Sequence, residues 1–404
     1  MGNAKTTWIN LGLVNLCVVA LLGFTLRSKI LFSIDFIDYR NILTAHGNFA
    51  LSGWIGFVLM ALLVYRILPE QESSKKIYRI LLTLIFMFSW GMMLGYAISG
   101  NSKISIAFSF LYIAATYVFA FTYIRDILSI SISRPVRILS ILSLVSLVLA
   151  SSGSIALALM YMGLWKIRIS YRDASYIFLH FQYNGFFSLG IGALFLHFLQ
   201  NRSGRIPSSL TRAANWIAIA TIPSVFLSLL YYERLTFYLV GGISGMILLT
   251  GAFYFAAYLF SKQGRILYRY SWARILLIMA AVSFVLKMIM QVGTLTPIGH
   301  EVYSDRPVII GFLHMVFLAF ASFFILGMLV EEDYFTRKGR LIKIPLLVFI
   351  LGVLSNEAFL MIQGIEILLK TNNPMYNWLL WVASIFLLSG AILIACSRLF
   401  ASRK

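Results

Sequence analysis

The chain has 404 residues, 60% of them hydrophobic and only 12% charged, with a mean hydropathy of +0.89. A soluble domain carries roughly a quarter charged residues, so this much apolar surface needs lipid and a large soluble core is excluded. The net charge of +19 does not point to nucleic acid, because the basic residues punctuate the ends of apolar runs, as membrane-flanking charge does.

Twelve apolar segments are long enough to cross a bilayer. They cover residues 7–26, 42–65, 77–98, 104–124, 138–164, 176–200, 213–232, 236–261, 274–296, 307–330, 342–366 and 376–397. The expected fold is an all-α polytopic membrane protein with twelve transmembrane helices, forming one domain over residues 1–404, since no loop is long enough to hold another. The first run follows MGNAKTT and has no small-residue cleavage site after it, so it is expected to remain as a span. Cys17 and Cys396 both fall inside apolar runs, which implies neither a disulfide nor a cysteine metal site. Twelve spans put both termini on one side. Lysine and arginine are roughly twice as frequent in the loops of that side, which places the termini in the cytoplasm.

The second span, ILTAHGNFALSGWIGFVLMALLVYR, carries a histidine near its start, although the chain has only five. His46 lies about four residues into span 2, His180 about four into span 6, and His314 about seven into span 10. All three fall in the outer third of the bilayer at similar depth. His197 at the cytoplasmic end of span 6 and His300 in an outer loop read as interfacial residues. An imidazole in hydrocarbon needs a hydrogen-bond partner or a ligand role. Three separate helix contacts and a shared metal or haem site both satisfy that need.

Two charges also lie within spans. Lys287 sits near the middle of span 9 in FVLKMIMQ, and Glu357 in the outer half of span 11 in LGVLSNEAFLMI. They read either as an ion pair locking the two helices or as a proton path or base. A transporter would use them as a midplane site, with the helix break at Pro223 in its favour. Gly241, Gly242 and Gly245 read as helix packing. Phosphate loops, nucleophile elbows, zinc-binding helices and calcium loops are absent from the sequence.

The span count and histidine pattern resemble subunit I of the haem–copper oxidases. The start of span 2, AHGNFALSGWIGF, is similar to the H-T-N start of that span in nitric oxide reductases and cbb-type oxidases. His46 then matches a low-spin haem ligand, and Asn48 follows at the family spacing. In span 6, HFQYNGFF is similar to the reductase pattern of His, three residues, Glu, Gly. His180 matches a ligand of the second metal, Asn184 stands in place of the Glu, and Gly185 matches the Gly. Span 10 of the family carries H-x-H; here Phe312 replaces the first histidine and His314 matches the second. Span 7 lacks the family's histidine pair. The NnrS family of haem- and copper-containing twelve-span proteins is similar in size and layout.

The resemblance implies a b-type haem held by His46 and His314 and a degraded high-spin site. Copper or non-haem iron is not expected, because His180 is the one remaining ligand of the second metal. It also implies a bacterial inner-membrane protein in respiratory or nitric-oxide-related electron transfer. Its partners would be other respiratory subunits or a cytochrome c or quinol donor, and nucleic acid is not among them. The chain resembles oxidoreductase subunits but lacks most of their active-site ligands. Candidate catalytic residues are His180, Asn184, Glu357 and Lys287. Trp165, Lys166, Arg168, Arg172 and Arg306 read as lipid-headgroup contacts or as partners of haem propionates. A cofactor-free scaffold on the same fold is the third reading.

Overall fold

Inside a bilayer every backbone amide must be satisfied within the protein, and a helix does this without neighbours. The computed structural model describes residues 2–164, 169–297, 299, 306–335, 342–371 and 373–401, and no strand occurs among them. The long helices are α1 (Gly2–Leu31), α2 (Tyr39–Ile67), α3 (Lys76–Ser99), α4 (Lys103–Ser129) and α5 (Arg134–Tyr161). They continue with α6 (171–203), a bent α7 (Ser208–Ala220 and Pro223–Tyr232), α8 (Leu235–Phe260) and α9 (Ser271–Gly293). The last three are α10 (306–331), α11 (Lys343–Leu368) and α12 (Met375–Ala401).

Ten of these helices are long and apolar enough to cross a membrane, or eleven if the two arms of α7 form one span. The expectation of twelve spans differs at α6, which is helical throughout but falls outside that count. Its apolar run is diluted by His180, Gln182 and Asn184, all almost fully buried. Within α7 the axis bends by 44°. Pro223 supplies no amide proton to the preceding turn, and the chain continues as a tighter 3₁₀ helix.

Helix ends are set by local chemistry. Asp38 caps α2 by accepting from the Asn41 amide, and Ser102 caps α4 by accepting from the Ser105 amide. Ser170 and Asp173 form a reciprocal capping box at the start of α6. Gly204 ends α6 with a φ of 74° that favours glycine.

Much of the outer surface is apolar. Phe121 is 71% and Ile219 74% exposed, which suits lipid. By contrast α2 is buried along nearly its whole length and occupies the centre. Helix α1 packs along α12, joining the two ends of the chain. Asn15 on α1 donates to the Gly53 carbonyl at 2.6 Å and accepts from Trp90 at 2.9 Å, fastening α1, α2 and α3. At the end nearest the termini, Glu331 accepts from Arg202 at 2.7 Å and from the Arg269 amide at 2.9 Å. Glu332 meets Lys5 and Arg66, and Asp333 meets Arg269. Gly241 and Gly245 do serve packing: a side-chain carbon at either would strike Leu227 or its neighbour on α7.

Candidate functional site

Three of the helices are wound more loosely over part of their length. Residues Ala50–Gly56 and Leu63–Ile67 of α2, Phe181–Phe187 of α6 and Met315–Ser322 of α10 are π-helical. These are the helices that carry His46, His180 and His314. Such widening changes the direction of the side chains that follow and recurs at functional sites.

His46 and His314 face each other. Their ring centroids are 6.4 Å apart, with 26° between the planes. Nδ1 of His46 lies 3.1 Å from the Val19 carbonyl on α1, and Nδ1 of His314 lies 2.8 Å from the Ile310 carbonyl one turn back on α10. A carbonyl can only accept, so each Nδ1 carries the proton. Each Nε2 is thereby left with a lone pair, the arrangement that readies an imidazole for a metal. A metal–nitrogen bond is about 2 Å, and a ring centre lies roughly 1 Å further, so two imidazoles on one metal have centroids about 6 Å apart. The observed spacing fits that value.

Helix α1 supplies two residues that sequence reasoning missed. Gly23 lies against the His46 ring: a side-chain carbon there would meet Cε1 at 3.1 Å. Arg27, four residues on and on the same face, acts electrostatically on both His46 and His314. In the sequence it had counted as a flanking charge. The helix actually runs on to Leu31, so Arg27 lies within it and close to the pair.

His180 does not join them. It is fully buried, with Nε2 3.0 Å from the Thr221 carbonyl and Nδ1 3.1 Å from Asn184 Nδ2. Nε2 donates to the carbonyl and Nδ1 accepts from the amide, so both ring nitrogens are engaged. Thr221 sits at the α7 bend, where helical pairing is interrupted, and its carbonyl also accepts from Ser224 at 2.8 Å. Gly185 lets α6 approach α5, since a side-chain carbon there would overlap Ser146.

Lys287 and Glu357 are not an ion pair. Lys287 is fully buried and donates to the Ser188 hydroxyl at 3.2 Å. Its ammonium lies 5.2 Å from the ring centres of Tyr183 and Phe284 and 5.9 Å from that of Phe320. Glu357 accepts from its neighbour Asn356 at 3.1 Å. The aromatic rings explain how a lone cation is tolerated at this depth.

Phe312 packs edge-on to Tyr183 with centroids 5.5 Å apart. Both residues line a largely apolar cavity of about 380 Å³ that also touches Leu227, Met290 and Gln291. Among the described residues no group of three or more His, Cys, Asp or Glu is placed to hold a metal ion. His197 accepts from or donates to Asn201 at 3.1 Å near the terminal side. Arg172 lies over the Tyr231 ring, beside the Asp173 carboxylate that Tyr231 and Tyr232 both bond. Trp165, Lys166, Arg168 and His300 lie outside the described residues, as does the side chain of Arg306.

No family model matches the chain, and no curated protein matches its sequence. Its structure is similar to that of a haem–copper terminal oxidase, solved as a dimer by cryo-electron microscopy. The likeness has a TM-score of 0.72 at 15% identity and covers 100% of this chain and 85% of the other. The chain therefore has the helical membrane fold of a haem–copper terminal oxidase subunit.

Proposed function

We propose that the chain is an electron-transfer member of the haem–copper oxidase superfamily, holding one b-type haem between His46 and His314. The observation that carries this reading is the facing pair of imidazoles. They are spaced for a shared metal, and each has its Nδ1 proton held by a backbone carbonyl. The fold supports it, since a relative of this shape is a haem–copper oxidase. When bound, the haem supplies a one-electron redox centre, and two axial imidazoles leave its iron no open position.

The chain's own residues set the conditions. Val19 and Ile310 fix the tautomer and rotation of each ring. Gly23 keeps space beside His46, and Arg27 offers a cation to a nearby carboxylate. Phe312 stands where the family's high-spin haem ligand belongs, and an arene has no lone pair to give. His180 spends both nitrogens on protein partners. We therefore assign His180 and Asn184 to joining α6 with the α7 bend, and Lys287 to an internal aromatic contact. Gas reduction is left without its usual ligands.

In this reading the helices form a single domain of twelve spans, α6 included. Both termini face the cytoplasm of a bacterial inner membrane, following the charge bias of the loops. The relevant branches are the nitric oxide reductase and cbb-type oxidases or the NnrS family. The electron donor would be a cytochrome c, a quinol or a companion respiratory subunit.

The test is an absorption spectrum of the purified protein, oxidised and dithionite-reduced, with haem extraction. One haem per chain and a sharp reduced low-spin band are expected, lost in both His46→Ala and His314→Ala. An unchanged spectrum in both variants would overturn the assignment, as would absence of haem after expression with ample haem supply.

A further inference from the structure

A second cavity lies away from the histidine pair, enclosed by α2, α3, α4, α5 and α6, with a volume of about 440 Å³. That is within the usual size of a small-molecule site. Its mouth is at the membrane face opposite the termini, where Asn101, Tyr161 and Tyr171 are exposed. It runs inward to Tyr112, which lies roughly 14 Å down α4 from Lys103 by helical rise. The cavity thus reaches about half-way through a hydrocarbon layer of roughly 30 Å.

Its lining has a consistent chemistry. No charged side chain contributes to it. Hydroxyl and amide groups do, among them Thr44, Asn48, Ser109, Thr116, Ser154 and Gln182. Phe110, Phe178, Met92 and Leu147 add flat or apolar surface between them. At the deep end two polar atoms lack a partner: the Tyr112 hydroxyl and the Gln182 side-chain oxygen. Tyr112 is only 8% exposed and Gln182 3%. Buried polar groups are nearly always paired, and an orphan of each kind at the end of one cavity points to something that pairs with them.

We propose that this cavity binds a small neutral molecule combining an apolar ring with hydroxyl groups, taken up from the face opposite the termini. The absence of lining charge selects against ions, because a charge brought to this depth would lose its water without gaining a counter-ion. The hydroxyls and amides offer donors and acceptors in place of water. The Tyr112 hydroxyl and the Gln182 amide set the end point of binding, and the aromatic walls accept the ring. The proposal is independent of the haem reading.

The test uses the full chain in lipid nanodiscs, with Cys17→Ala, Cys396→Ala and Ser154→Cys. Ser154 lines the cavity without a recorded hydrogen bond, so its exchange for cysteine is mild. Alkylation by iodoacetamide, followed by mass spectrometry, reads access of water to that position. Phenyl β-glucoside serves as the neutral probe, and phenyl β-glucuronide as its anionic counterpart. Expected are alkylation at Ser154→Cys, slowing by about tenfold with the glucoside and little slowing with the glucuronide. Adding Tyr112→Phe or Gln182→Leu should remove the protection and leave the alkylation. A cysteine that does not react would show a dry cavity and overturn the proposal. Reaction without protection would reduce the site to a water pocket, and equal protection by both probes would overturn the neutral class.

Discussion

The indole nitrogen of Trp54 donates to the Ser322 hydroxyl at 2.8 Å. Trp54 lies eight residues beyond His46, and Ser322 eight beyond His314. The bond therefore joins α2 and α10 at equal distances below the two imidazoles and holds the helices in register. Ser322 passes its own proton to the Phe317 carbonyl at 2.7 Å, inside the loosened stretch of α10. A slip of either helix would lift one imidazole out of the plane of the other.

Ser322→Ala tests this register. It leaves the buried Trp54 N–H without an acceptor, at a cost of about 1–3 kcal/mol. A lower thermal midpoint in detergent is expected, with a broadened or shifted low-spin band. A spectrum and midpoint equal to those of the parent chain would remove the pin from the account.

Gly23 gives a second prediction. A side-chain carbon at this position meets the His46 ring at 3.1 Å, and Gly23→Ala asks the ring to move by a few tenths of an ångström. Gly23→Val adds two more carbons against an imidazole whose Nδ1 is tied to α1. Loss of haem in the valine variant and a smaller spectral shift in the alanine variant are expected. Haem content by extraction and absorption reads the difference. Full occupancy in Gly23→Val would show that the ring is free to rotate away.

How much of this was legible in the sequence follows from geometry. Apolar runs located the helices, and the depth of His46 and His314 followed from counting along them. The bend at Pro223 was visible for the same reason. The partners of the histidines were not, because contact between helices depends on rotation about each axis. Spacing rules assume about 100° per residue, and the π-wound stretches of α2, α6 and α10 break that phase. Hence Trp54 gave no sign of Ser322, and Gly23 gave no sign of His46. The supposed Lys287–Glu357 pair failed on the same ground: depth along the helices was compatible, but the side chains point to different neighbours. His180 had the right depth for a ligand, yet its nitrogens are claimed by Thr221 and Asn184.

His180 and His46 should therefore separate in a spectrum. Asn184→Leu leaves His180 Nδ1 without a donor, and His180→Ala also frees the Thr221 carbonyl. Each change removes a buried partner and should cost about 1–3 kcal/mol. Both are expected to lower the thermal midpoint while leaving a low-spin band of parent position and intensity. Loss of that band in His180→Ala, in protein that still elutes as a folded species, would give His180 a place in the cofactor site.

The last prediction concerns Lys287, a buried cation without a carboxylate partner among the described residues. Removing an ion from water carries a large cost, and a hydroxyl with three ring faces offsets only part of it. Replacing buried ionic groups by apolar ones of similar volume is often neutral or stabilising. Lys287→Met keeps the length of the side chain and removes the charge. An unchanged or raised thermal midpoint is expected for Lys287→Met. Lys287→Ala should fall by about 2–5 kcal/mol, because it opens a cavity among Tyr183, Phe284 and Phe320. A methionine variant as damaged as the alanine one would mean that the charge itself holds α9 to α6. The Ser188 hydroxyl would then be the group that answers it, and Ser188→Ala should reproduce the loss.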